Sequence, residues 1–315
     1  MEKIKLGIST CLLGENVRFD GGHKLDRYLT DTLGQFVEYV PVCPEMECGF
    51  GVPRESFRLV GDPENPRLVT TRTNQDHTER MAEWAKRRVG ELEKEDLCGY
   101  IFKGGSPSSG MERVKVYDRN GVPSKVGVGL FARIFMNHFT LLPVEEEGRL
   151  HDPRLRENFI ERIFALKRWR DGLKEKQSLK ALIVFHTRNK LLLLAHSPQH
   201  HRQMGKLVAA GKELPLRELY ARYQDIFLEA LRLKTTNKKH TNVLMHMLGY
   251  FKEQLSAAEK QEMLELIEQY RLESLPLVVP MTMMSHYVRK YDETYLKEQT
   301  YLQPHPAELH LRNHV

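Results

Sequence analysis

Three of the chain's four cysteines, Cys11, Cys43 and Cys48, fall within the first 50 of its 315 residues. Four is too few for a disulfide framework at this length, and in a reducing compartment such clustering favours metal binding or catalysis. For any one of them, a small buried core residue is the competing explanation. Cys43 opens the string Cys43-Pro44-Glu45, so a carboxylate able to move protons stands two residues from a thiol able to bind a soft metal. Gly14, Gly21 and Gly22 follow Cys11, Gly49 and Gly51 follow Cys48, and Gly104, Gly105 and Gly110 flank a serine-rich stretch. Glycine at such positions lets backbone approach a bulky ligand. The chemistry indicated is metal-assisted, centred on Cys11, Cys43 and Glu45.

Strand-like segments lead into each of these strings. Residues 3–9 alternate and are rich in Ile and Leu, running into Thr10-Cys11-Leu12-Leu13-Gly14. Residues 37–42 form a second β-rich run ending at Cys43-Pro44-Glu45, and 99–102 a third ending in Lys103-Gly104-Gly105-Ser106-Pro107-Ser108-Ser109-Gly110. Between the last two, Met81, Trp84, Ala85, Val89 and Leu92 recur at helical spacing within 74–97. The order strand, helix, strand predicts an α/β domain with a largely parallel sheet over residues 1–148. Ligands of open parallel sheets sit beyond the carboxyl ends of the strands. Cys11, Cys43, Glu45 and Ser106 are therefore expected in one site. Cys98 begins the third strand and is expected at the opposite edge in a structural role, and Ser108 is read as a turn or capping hydroxyl.

The strings Ser9-Thr10-Cys11-Leu12-Leu13-Gly14, Val17-Arg18-Phe19-Asp20-Gly21-Gly22, Val42-Cys43-Pro44-Glu45 and Ser106-Pro107-Ser108-Ser109-Gly110 together resemble the thiouracil desulfidase family over about residues 1–145. The second half, with Phe185-His186-Thr187-Arg188-Asn189-Lys190, His246-Met247-Leu248-Gly249-Tyr250-Phe251 and Tyr301-Leu302-Gln303-Pro304-His305-Pro306, looks like the helical domain often fused to it. Such fusions are described as tRNA 4-thiouridine desulfidases. The resemblance implies a 4Fe-4S cluster on three cysteine thiolates, with one open iron that takes the sulfur of a thiocarbonyl. Cys11 and Cys43 match two of the ligands, Glu45 the proton-transfer residue and Ser106 the catalytic serine. Ser109 stands where the third cysteine is usual. A serine oxygen is a poor substitute for a soft thiolate, which leaves Cys48 and Cys98 as replacements, and Cys48, five residues beyond Cys43 on a glycine-flanked loop, is the one expected to supply the missing donor.

Charge separates the two halves. Residues 1–150 hold 21 basic and 23 acidic side chains, whereas 151–250 hold 20 and 9, an excess of 20 − 9 = 11 positive charges. A polyanion such as RNA would be drawn there, although a solvated helical surface explains charge alone equally well. Asp152-Pro153 is an N-cap followed by proline, opening a helix read as a connector over 149–175. Helical spacing then covers 216–234 and 242–255, and Ser256 with Glu259 forms a capping box for 256–271. Residues 275–280, with two prolines, read as a break before a last helix near 281–291. The segment 176–315 is thus expected to be a mostly α-helical, basic domain that binds tRNA, with Lys190, Arg202, Lys234, Lys238 and Lys239 as phosphate contacts. His186, His196, His200 and His201 are read as RNA contacts or packed helix ends, because Pro198 interrupts the spacing and no acidic partner is evident. No apolar run approaches the ~20 residues that span a bilayer, and the start of the chain lacks a signal-peptide pattern. A cytoplasmic protein that acts on tRNA, without membrane or DNA partners, is the expectation. Free thiouracil or thiouridine nucleotides are the alternative substrates, and a non-catalytic RNA-binding or redox-sensing protein is the rival class.

Overall fold

The computed structural model describes residues 3–174 and 177–314, which divide into two units at Leu155 and Arg156. In the first unit, β1 (Ile4–Ser9), β2 (Val37–Val42), α1 (Pro44–Glu47), β3 (Phe57–Val60), β4 (Arg67–Thr70), α2 (Thr78–Leu92), β5 (Gly99–Phe102), β6 (Val114–Tyr117), β7 (Pro123–Gly127), α3 (Leu130–His138) and β8 (Val144–Glu146) follow in order. The main sheet runs β2-β1-β5-β8, and every pairing in it is parallel. All four residues of β5 are buried, as the central strand of a covered parallel sheet should be. An aromatic core of Tyr100, Phe102, Phe131 and Phe135 packs β5 against α3.

Gly7 lets Tyr100 lie flat on β1. A Cβ at Gly7 would stand 2.2 Å from Tyr100 Cδ2, in a core with no room to yield. Gly7→Ala should therefore cost about 1–3 kcal/mol, as overpacked cores do, and lower the thermal midpoint by several degrees in a calorimetric melt. An unchanged midpoint would mean the ring is free to move.

A second sheet, β4-β3-β6-β7, pairs β3 with β4 and β6 with β7 antiparallel and β3 with β6 parallel. Its strands are four or five residues long, and the first four residues of β7 are exposed. Strands so short and polar carry little periodicity, so this sheet was not expected.

The second unit is helical: α4 (Pro153–Lys174), α5 (Leu179–His196), α6 (Pro198–Ala209), α7 (Leu216–Arg232), α8 (Asn237–Leu248), α9 (Ala257–Arg271), α10 (Val278–Lys290) and α11 (Thr294–Lys297). The expected connector over 149–175 is corrected. From Arg156 onward α4 belongs to this unit, and Trp169 packs within 5.0–5.6 Å of the Phe185, Tyr220 and Tyr223 rings. The capping box forms as expected, with Ser256 and Glu259 satisfying each other's backbone N–H. Pro280 does not break the chain: it is the third residue of α10, where a missing N–H costs no helical bond. A buried ion network ties the end of the chain to α4, with Arg312 3.3 Å from Glu157 and 2.8 Å from Glu161, and His196 Nε2 3.1 Å from Glu161. Burial opposes ionisation of Glu161, but His196 and Arg312 override it and hold the carboxyl well below the usual range. No helix among the described residues is long and apolar enough to cross a membrane.

Candidate active site

Three strand ends build the cleft. After β1 the chain makes one 3-10 turn, Thr10–Leu13, which carries Cys11, and the Cys11 carbonyl accepts Lys24 N–H at 2.8 Å. After β2, Cys43 is extended and caps α1, with Pro44 at the first helical position. After β5, residues 106–110 form a tight loop against the start of α3, where Phe131 N–H donates to Ser108 O at 3.0 Å and Gly129 N–H to Gly110 O at 2.8 Å. The approach is close enough that a Cβ at Gly129 would lie 2.5 Å from the Ser108 carbonyl. The resulting cleft of about 310 Å³ is lined by Cys11, Cys43, Glu45, Ser106, Ser108 and Ser109 together, with Arg18, Lys24, Arg54 and Lys103 supplying its positive charge.

Glu45 is the hub. One carboxylate oxygen, Oε2, receives Arg54 Nε–H at 3.0 Å and a second, shorter bond from Arg54 Nη2, while Oε1 receives the Ser108 hydroxyl at 2.9 Å. Arg54 is itself fixed by donating to Gly51 O at 2.7 Å and Val17 O at 3.0 Å. Both serines line the cleft, Ser106 expected as the catalytic serine and Ser108 as a turn or capping hydroxyl. Ser106 Oγ accepts the N–H groups of Ser108 and Ser109 at 3.3 and 3.1 Å, which is loop capping, and Ser108 is the hydroxyl that touches Glu45. Ser106 joins the chain one step back, 3.0 Å from Ser108 Oγ. Arg54 was missed because nothing in its spacing marks it; it lies nine residues from Glu45 across a loop.

The thiols divide differently from the expectation. Cys11 and Cys43 line the cleft, and burial, with Cys43 adding to it against the opposing charges of Lys103 and Arg18, pushes Cys11 up to about 11; burial also raises Cys43. Cys48 is not brought there. Five residues along a chain that turns about 100° each rotate it roughly 140° from Cys43, and its Sγ lies 3.7 Å from Arg80 O in a separate pocket with Glu47 and Trp84. Cys98 is buried at the start of β5, where its N–H donates to Lys5 O at 2.8 Å. The cleft thus offers two thiols and, as the third lining position, the Ser109 hydroxyl. Among the described residues no group of three His, Cys, Asp or Glu could hold a metal ion. A cluster on three thiolates, as the resemblance implies, does not fit this donor set.

The expected RNA contacts also separate. Lys190 and Arg202 line one groove with His186, His201 and Lys212. Lys234 and Lys238 are exposed. Lys239 is corrected to a structural role, because its ammonium donates to His196 O at 2.6 Å and Lys234 O at 2.8 Å. His196 has the acidic partner that the sequence did not reveal, Glu161, and His200 Nδ1 stands 2.7 Å from Ser197 Oγ.

A family model described as 2-thiouracil desulfurase matches residues 6–147, and one described as a protein of unknown function, DUF1722, matches 190–306. The chain belongs to the 2-thiouracil desulfurase family, with DUF1722 as its second domain. Similar proteins are "Uncharacterized protein YbgA" of Escherichia coli (strain K12), 32% identical over 161 residues that cover 51% of this chain and 95% of that one, and "Uncharacterized protein YbbK" of Bacillus subtilis (strain 168), 28% identical over 108 residues, covering 33% and 71%. Among solved structures, the "[4Fe-4S]-dependent thiouracil desulfidase TudS" is similar at 28% identity and a TM-score of 0.40, covering 48% of this chain and 95% of that chain. The whole cleft lies within the desulfurase domain, and the lysine- and histidine-lined groove lies across α5 and α6.

Proposed function

We propose that this protein is a desulfidase that converts 4-thiouridine in cytoplasmic tRNA to uridine. The observation that carries the reading is a carboxylate fixed from two sides, by Arg54 and Ser108, in a two-thiol cleft of the domain matched as 2-thiouracil desulfurase. The net reaction adds water across the thiocarbonyl: the C4–S bond breaks, a C4–O bond forms, and sulfur leaves as hydrogen sulfide. Glu45 accepts the proton of the attacking water, and Ser108 and Ser106 form the hydroxyl chain through which that proton passes. Arg18, Lys24 and Lys103 favour the anionic sulfur that departs. A cleft of about 310 Å³ accommodates a single pyrimidine ring, and in structured RNA that base must be turned out of its stack to enter. The excess of cations in the second half supports RNA as the carrier.

The family description itself names 2-thiouracil, which favours a free base as the second reading. The two differ in salt dependence. Sulfide release from thiolated tRNA should fall steeply between 50 and 200 mM salt, on the order of tenfold or more, whereas release from free thiouracil should not. Salt-independent turnover of both would favour the free base, and no sulfide from either would favour a non-catalytic RNA-binding or redox-sensing protein.

A further inference from the structure

The groove between α5 and α6 has a volume of about 470 Å³, and its polar lining includes His186, Lys190, His201, Arg202 and Lys212. No acidic side chain lines it. Some cations of this unit pair with carboxylates, as in Arg222–Glu218 at 2.5 Å, Arg188–Glu298 at 3.3 Å and Lys290–Glu259 at 2.9 Å. Lys190, Arg202 and Lys212 have no ion pair among the described residues, and all three converge on the groove.

One neutral donor is set within it. His186 is 4% exposed, and its Nδ1 lies 3.2 Å from the Tyr223 hydroxyl. Tyr223 is fully buried and burial keeps its phenol protonated; His186 is its hydrogen-bond partner among the described residues. The phenol proton therefore goes to Nδ1, and the imidazole must carry its own proton on Nε2. Burial, with Lys190 adding to it, pushes His186 down to about 4, so the ring that lines the groove is a neutral N–H donor near pH 7. His201 stacks parallel to it at 6.4 Å. Three unpaired cations, one of them an arginine suited to bidentate oxygen contacts, and an oriented N–H donor match a group with several oxygens and more than one negative charge.

We propose that this groove is a phosphate-ester site, with His186 Nε2–H donating to a phosphoryl oxygen and Lys190, Arg202 and Lys212 balancing its charge. An RNA backbone and a free nucleotide present the same chemistry. The RNA source rests on the tRNA reading above; the site itself does not.

The test measures binding of fluorescently labelled tRNA and, by calorimetry, of uridine 5′-monophosphate to the full-length protein. The Lys190→Ala/Arg202→Ala variant changes surface groups and should fold. If the source is the backbone, this variant binds tRNA at least tenfold more weakly, and the slope of log K against log salt becomes shallower by about two. If the source is a free nucleotide, wild type binds the monophosphate, the variant loses it, and tRNA affinity is unchanged. Tyr223→Phe keeps the packing but frees the imidazole proton to move to Nδ1, and should weaken the same ligand severalfold. Affinities for both ligands within twofold of wild type in the double variant, or no binding of either by wild type, would overturn the proposal. Loss of tRNA binding in Lys234→Ala/Lys238→Ala alone, with no binding of the monophosphate by wild type, would overturn it while leaving the tRNA reading intact.

Discussion

Replacing Glu45 by glutamine should lower sulfide release from a thiolated uridine by about 10²–10⁴-fold, the range removed with a positioned general base. Glutamine keeps the size, its amide oxygen can accept from Arg54 and its NH2 can donate to Ser108 Oγ, so the cleft should hold its shape. It cannot take a proton from water. The buried Arg54, whose side chain is 5% exposed, would lose its charged partner, which adds a stability cost of a few kcal/mol for an uncompensated buried charge. Two measurements separate these effects: single-turnover sulfide release at a temperature where circular dichroism shows the variant folded, and the thermal midpoint itself. Arg54→Lys is the companion variant. A lysine retains the charge but cannot hold Glu45 Oε2 and the Val17 and Gly51 carbonyls at once, so it should lose activity with a smaller loss of stability. Full activity of Glu45→Gln would remove the carboxylate from the mechanism.

Ser109→Cys should give the second large effect, a gain. Ser109 is 3% exposed, its N–H is held by Ser106 Oγ, and its loop is pinned on the start of α3. Cysteine differs from serine by one atom, so the loop should keep its conformation while a third thiol joins Cys11 and Cys43. After anaerobic reconstitution with iron and sulfide, the variant should retain severalfold more of both than wild type, with stronger visible absorbance from thiolate-bound iron. Adding Cys48→Ala should leave that gain untouched, because Cys48 faces Arg80 and Trp84. If Cys48→Ala strips iron from wild type instead, the thiol reaches the cleft in solution and its position here is not the functional one.

The resemblance and the residues were legible to different depths. Residues 37–42 and 99–102 alternate or run apolar over a strand's length, and both form strands with those bounds. The helix expected over 74–97 is the shorter α2, Thr78–Leu92, with Met81, Trp84, Ala85, Val89 and Leu92 all buried. The main sheet is parallel for the reason the order of elements implied, since long crossovers join β1 to β2 and β5 to β8, and β5 returns to the far side of β1. The strands of the second sheet were not legible. Arg58, Lys115 and Lys125 sit within runs of four or five residues, which are stabilised by pairing with one another and not by any pattern of their own.

What the sequence determined by itself is which loops meet. Short-range periodicity places Cys11, Cys43–Glu45 and Ser106–Ser109 at strand ends, and a parallel sheet gathers its carboxyl ends at one edge, so one cleft follows from local pattern and elementary geometry. Only the tertiary structure decided which atoms face it. Rotation around the single turn of α1 sends Cys48 to the other side, and of two serines in one loop it is Ser108 whose hydroxyl the backbone turns toward Glu45. Arg54 and Tyr223 acquire their roles from partners 9 and 37 residues away. Side-chain direction and long-range partnership depend on how elements pack, and no residue's own neighbours in sequence encode that.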